Sequence, residues 1–142
     1  MIVTPLNSAA QKSLDKWLAM MAESDFRDLP SIVAGDAVFR SPVGLRPYRG
    51  RELVCLMIRT AAGIFEDFKY HRTFADRESA VLEFSAHIGD VELKAVHMIR
   101  FNESGEIVEL EKMVRPLEGA RALGNAMGAK IGPDIKRLRE AT

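Results

Sequence analysis

Residues 80–101 read AVLEFSAHIGDVELKAVHMIRF, and this stretch decides the fold. Leu82, Phe84, Ala86 and Ile88 alternate with Glu83, Ser85 and His87, the period of a strand with one buried face. Gly89–Asp90 is a two-residue hairpin signal, and Val91 to Phe101 alternates again with Leu93, Ala95, His97, Ile99 and Phe101 on one side. Two long antiparallel strands therefore share an apolar face. Outward from this hairpin, Phe68 to Phe74 reads as a preceding strand, and the turn NESG (102–105) leads into a following strand, Ile107 to Arg115.

The N-terminal half has the helical period instead. Leu14, Trp17, Leu18 and Met21 predict a helix over Ser8 to Glu23, begun by a capping box of Ser8 and Gln11. Asp28 is placed to cap a short second helix carrying Leu29, Ile32 and Val33 and ended by Gly35, and Ala37 to Ser41 reads as a short strand. PVGLRPYRG (42–50) reads as a loop, and Arg51 to Phe65 as a third helix. Pro116 ends the sheet. Leu117 to Lys130 has helical spacing weakened by three glycines, and Gly132–Pro133 separates it from a charged tail over residues 131–142, helical or frayed. Helices followed by antiparallel hairpins make an α+β fold, a single domain over residues 1–142 whose curved antiparallel sheet packs on the helices and encloses an apolar pocket.

Composition narrows the partners. The 142 residues are 47% hydrophobic and 28% charged, with twenty basic side chains against twenty acidic ones, so no net field draws nucleic acid or an anionic membrane. The opening MIVTPLNSAAQKS lacks the features of a signal peptide, and no apolar run is long enough to span a bilayer. Cys55, the single cysteine, reads as a packed core residue in a reducing compartment, so the expected location is the cytoplasm.

Two segments, GDAVFRSPVGLRPYRGRELV (35–54) and VHMIRFNESGEIVELEKMV (96–114), together with the order of elements, resemble the nuclear transport factor 2-like superfamily. Its members include ketosteroid isomerase, scytalone dehydratase, limonene epoxide hydrolase and the SnoaL-like polyketide cyclases. The resemblance covers about Leu14 to Arg115 and implies a cone-shaped, cystatin-like fold with a pocket, often dimeric through the sheet. Aligned with ketosteroid isomerase, the catalytic aspartate falls on Ser41, the oxyanion-hole tyrosine on Trp17 and the second acid on His97. A serine hydroxyl is too weakly basic to replace a carboxylate as proton shuttle, so the carboxylate mechanism is disfavoured.

His97, in an apolar row, reads either as an acid or base or as a buried neutral histidine with a fixed partner. Lys112 shares its strand face with Leu110 and Val114, which the resemblance places along the cavity. Such a lysine holds an anion, forms an imine, or snorkels to the rim. The expected catalytic pair is His97 and Ser41. The expected ligand-binding set is Trp17, Met21, Phe39, Leu82, Phe84, Ile99, Lys112 and Val114. Arg46, Tyr48, Arg49 and Arg51 read as a loop closing over a ligand, or as a solvated loop. His87 and His97 should point to opposite sides of the sheet, so no metal and no cofactor are assigned. The outer face, with Val96, Met98 and Met113 among charges, suits a homodimer. The expected function is that of a SnoaL-like isomerase, cyclase or dehydratase acting on a small hydrophobic molecule; the competing reading is a non-catalytic binding module or dimeric scaffold that has lost the catalytic carboxylates.

Overall fold

The computed structural model describes residues 4–140; residues 1–3 of the N-terminal segment and 141–142 of the tail lie outside the described residues. Helix α1 covers Ser8–Glu23 and buries Ala10, Ser13, Leu14, Trp17 and Met20, a stripe at three- and four-residue spacing. Its cap is one residue earlier than expected. Asn7 has extended backbone, and its Oδ1 accepts a 2.8 Å hydrogen bond from the Ala10 amide. A single 3-10 turn, Leu29–Ile32, takes the place of the short second helix, and Asp28 makes no side-chain cap to it. The turn runs directly into β1, Val33–Arg40, so Gly35 lies inside a strand. The loop that follows contains the short strand β2, Tyr48–Arg49, and α2 covers Arg51–Ile64.

Strands β3 (Glu66–Ala75), β4 (Ser79–Ile88), β5 (Val91–Phe101) and β6 (Ile107–Arg115) follow as consecutive antiparallel neighbours. The whole sheet has six strands in the order β2-β1-β6-β5-β4-β3. It is not antiparallel throughout: β1 runs parallel to β6, with Phe39 opposite Leu110 and Arg40 opposite Glu111. The hairpins fix the direction of β6, whereas β1 arrives from the helical layer, and a parallel pair requires a crossover, here one that includes α2. In the β4–β5 ladder Leu82 faces His97 and Phe84 faces Ala95, so the inward row read from residues 80–101 is the buried one. In the NESG turn Gly105 has φ +81°, and a Cβ there would stand 2.4 Å from the Ala9 carbonyl oxygen. Only glycine lets this turn approach α1 so closely.

The last helix departs most from expectation. Helix α3 runs without interruption from Leu117 to Glu140, with Pro133 inside it. Proline removes one backbone hydrogen bond and normally breaks a helix. Here tertiary docking prevails: Ile131 is buried, Ile135 and Leu138 pack against the core, and the Arg139 guanidinium lies 3.9 Å from the Tyr48 ring centroid. Arg139 also donates to the carbonyls of Arg46 and Pro47 at 3.2 and 3.3 Å. Among the described residues, no helix is long and apolar enough to cross a membrane.

Candidate functional site

Alternation along β6 turns Leu110 and Lys112 toward the helices. Lys112 is 3% exposed, and its cross-strand partner on β5 is His97. Its ammonium nitrogen lies 5.1 Å from the ring centroid of Phe65 and 5.6 Å from that of Phe39. Among the described residues no carboxylate pairs with it and no acceptor hydrogen-bonds to it. The two rings offer a cation weak compensation for lost water. Burial therefore pushes the Lys112 pKa down to about 7.

Behind Lys112 stands a chain of polar groups. The Trp17 indole Nε1–H donates to the Tyr70 hydroxyl oxygen at 2.9 Å, and that hydroxyl lies 2.8 Å from His97 Nδ1. Indole only donates, so Tyr70 is free to give its own hydrogen to Nδ1, which assigns the proton of a neutral His97 to Nε2. Burial, reinforced by the nearby charge of Lys112, holds the His97 pKa well below its ordinary value. Burial likewise raises that of Tyr70. Trp17 packs edge-on against His97 at 5.4 Å, and the Phe84 ring lies 4.6 Å away. His97 is thus a buried, uncharged ring with Nδ1 hydrogen-bonded to Tyr70 and a face on the gap.

A cavity of about 110 Å3 lies between β1, α2, β6 and α3, walled by Phe39, Ser41, Tyr48, Met57, Ala61, Lys112, Leu123, Gly124, Met127 and Gly128 among others. On the other side of Lys112 a gap of about 10 Å3, room for roughly one water, is lined by Trp17, Met21, Phe65, His97 and Leu110. Lys112 belongs to both spaces and separates the two expected catalytic residues. Ser41 lines the larger cavity, where its Oγ accepts the Val43 amide at 3.1 Å, and His97 lines only the gap. Phe39 is on the larger cavity; Trp17 and Met21 are on the gap. Leu82, Phe84 and Ile99 are packed core and line neither space. Val114, further along β6, borders a surface depression with Val96 and Met113. Arg51 does not reach a ligand site: its Nε donates to the Val33 carbonyl at 2.8 Å. Among the described residues no group of three or more His, Cys, Asp or Glu side chains is arranged to hold a metal. Cys55 is buried, and burial raises its thiol pKa.

Sequence reasoning missed Tyr70 and the α3 wall. The alternation of Phe68 and Tyr70 on β3 is a usable signal for the first. Glycines 124 and 128, spaced one helical turn apart, are a signal for the second when taken as a smooth wall rather than as weakness of the helix.

The SnoaL-like domain model matches residues 14–110, which include α1 from Leu14 onward, α2, the whole of β1 to β5 and the start of β6. The chain belongs to the SnoaL-like domain family. This SnoaL-like chain is similar to a solved steroid delta-isomerase from Pseudomonas aeruginosa, with 44% identity over 94% of this chain and 98% of that one and a TM-score of 0.89. An uncharacterized protein with a cystatin-like fold from Silicibacter pomeroyi DSS-3 is 25% identical over 93% of this chain and 94% of that one, with a TM-score of 0.84. A nuclear transport factor 2-like protein of unknown function from Mesorhizobium loti shares the fold at 18% identity, covering 79% of this chain and 99% of that one, with a TM-score of 0.69. No curated protein matches the SnoaL-like chain.

Proposed function

We propose that this SnoaL-like protein is an enzyme that moves a proton on a small apolar molecule bound in the cavity between β6 and α3, with Lys112 as the proton-carrying group. One observation carries the reading: a buried amine without an acidic partner stands in the wall of a largely apolar cavity. A general base works best with a pKa near the working pH, and burial supplies that for this lysine. The neutral His97, held by Tyr70 and Trp17, backs Lys112 without competing for its proton. Similarity to a steroid delta-isomerase supports an isomerase among the family's chemistries. The proposed ligand is small, because pockets for drug-sized molecules measure roughly 300–1,000 Å3 and this cavity offers about 110 Å3.

The test is exchange of the α-hydrogens of small ketones such as 2-butanone in deuterated buffer, followed by NMR. Wild type should accelerate exchange, with the rate rising with pH through about 7 as the amine loses its proton. Lys112→Met should lower the rate on the order of a hundredfold or more. Binding without exchange would favour instead the non-catalytic module, which the absence of a carboxylate at Ser41 supports.

The assembly we propose is a homodimer through the outer sheet face, in the reducing cytoplasm. Met98 and Met113 are 37% and 49% exposed there, among the oppositely charged Arg100 and Glu109. Light scattering at micromolar concentration should give twice the chain mass, and Met113→Asp should halve it; a monomeric wild type counts against the interface.

A further inference from the structure

We infer that Lys112 forms a reversible imine with a carbonyl-bearing ligand in the α3 cavity. The inference rests on the proposed reading of that cavity as the ligand site, and it names the functional group of the ligand and the bond that holds it.

Three observations lead to it. First, Lys112 is anchored at one end and open at the other. Its backbone lies in β6, an inner strand of the sheet, with β5 on one side and β1 on the other. Its side chain passes between Phe39 and Phe65 and reaches both the larger cavity and the gap. Lys112 pairs with His97 on β5, one residue past the last β1 pair at Glu111, so the sheet holds its backbone beside the cavity.

Second, the walls select against a charged ligand. The polar side chains around the larger cavity are Ser41, Tyr48 and Lys112, and the rest of its lining is apolar or glycine. A carboxylate entering this space would lose its water and gain a single ammonium group, an exchange in which desolvation exceeds attraction unless further donors complete the shell. A neutral aldehyde or ketone loses far less.

Third, the amine can be unprotonated when it meets the carbonyl. The other titratable groups that line the two spaces are Tyr48 and His97. From β1 the cavity receives Phe39, from α2 Met57 and Ala61, and from α3 Leu123 and Met127. No carboxylate among the lining residues holds the proton on the lysine.

The chemistry balances without an oxidant or reductant. The Nζ lone pair forms a bond to the carbonyl carbon while the C=O π pair moves onto oxygen. A proton passes from nitrogen to that oxygen, giving a carbinolamine. The hydroxyl then departs with a second proton as water while the nitrogen lone pair forms C=N, and hydrolysis reverses each step.

The probe is butanal, presented to the wild-type protein at pH 7 with sodium cyanoborohydride, which reduces imines in place. Intact mass and peptide mapping then locate the butyl group. The expected result is one butyl group at Lys112, formed at least ten times faster than at any surface lysine, with a rate that rises through a midpoint near 7. Butyrate, the matching carboxylate, should not slow it. Lys112→Arg and Lys112→Met, each verified as folded by circular dichroism, should lose this adduct and keep only slow surface labelling. Labelling of surface lysines with Lys112 unmodified overturns the inference, as does an unlabelled protein whose Lys112 is protected by butyrate in a competing acylation. The ketone-exchange assay separates the two levels. Exchange that depends on Lys112 without an adduct removes the imine and keeps the lysine as a base, whereas loss of both removes the cavity as a site of chemistry.

Discussion

Lys112→Met should produce a protein more stable than the wild type near neutral pH, by as much as about 5 kcal/mol. The reason is linkage. In the unfolded chain this lysine holds its proton up to its ordinary pKa of 10.5, whereas in the folded protein burial pushes the value down to about 7. Between those values the unfolded state binds one proton more than the native state, so wild-type stability rises with pH, by about 1.4 kcal/mol per pH unit. Below about 7 the native lysine is also charged, and the full cost of burying that charge remains. Methionine has a similar length, fills the same slot between Phe39 and Phe65 and carries no charge, so it abolishes both the cost and its pH dependence. Urea unfolding of both proteins from pH 6 to 9.5 reads the effect directly. The gap should be widest at the acid end and narrow steadily toward pH 9.5. A difference that does not vary with pH would mean that Lys112 titrates normally.

Tyr70→Phe should destabilise the protein by about 2–5 kcal/mol although it removes one oxygen atom. The phenyl ring keeps its place against Phe68 and Phe84, so packing is nearly unchanged. What disappears is the acceptor for the Trp17 indole N–H and the donor to His97 Nδ1, leaving two buried polar groups without partners. Adding His97→Leu to Tyr70→Phe should recover part of the loss, because replacing both ends of a buried hydrogen bond with apolar groups avoids the unpaired acceptor. The double-mutant cycle, read by thermal unfolding, isolates the coupling. Melting temperatures that add independently would show that the chain of polar groups is a coincidence of packing.

Legibility followed the range of the interactions involved. Residues 80–101 announced their strands because alternation is a local property, and the inward row with His97 at its centre followed from the pleat. The extents of α1 and α2 were legible for the same reason, and only the capping residue of α1 differs, Asn7 in place of Ser8. What local reasoning missed was decided at a distance. Pro133 carries a helix-breaking signal within its own turn, and the contacts that override it come from Tyr48 and the carbonyls of Arg46 and Pro47, more than eighty residues upstream. The direction of β1 beside β6 depends on which layer the chain arrives from. Within the candidate site, Lys112 was legible as an inward residue of β6. Its isolation was not, since the lack of an acidic neighbour is a property of four elements meeting in space. Leu82, Phe84 and Ile99 share the inward face with His97, but the helices close directly over them and leave the open volume further along, under α3.

The smooth inner wall of α3 separates chemistry from capacity. The lysine on which the proposed chemistry rests belongs to the sheet, opposite His97 on β5. The volume beside it is bounded from the opposite wall by α3, where a methyl group at residue 128 would meet no atom within 4 Å, whereas one at residue 124 would press on Val43 at 3.2 Å. On the proposed reading, a change of side chain on that helix alters which molecule fits and leaves the facing strand as it is. A protein engineer holds the same two independent controls.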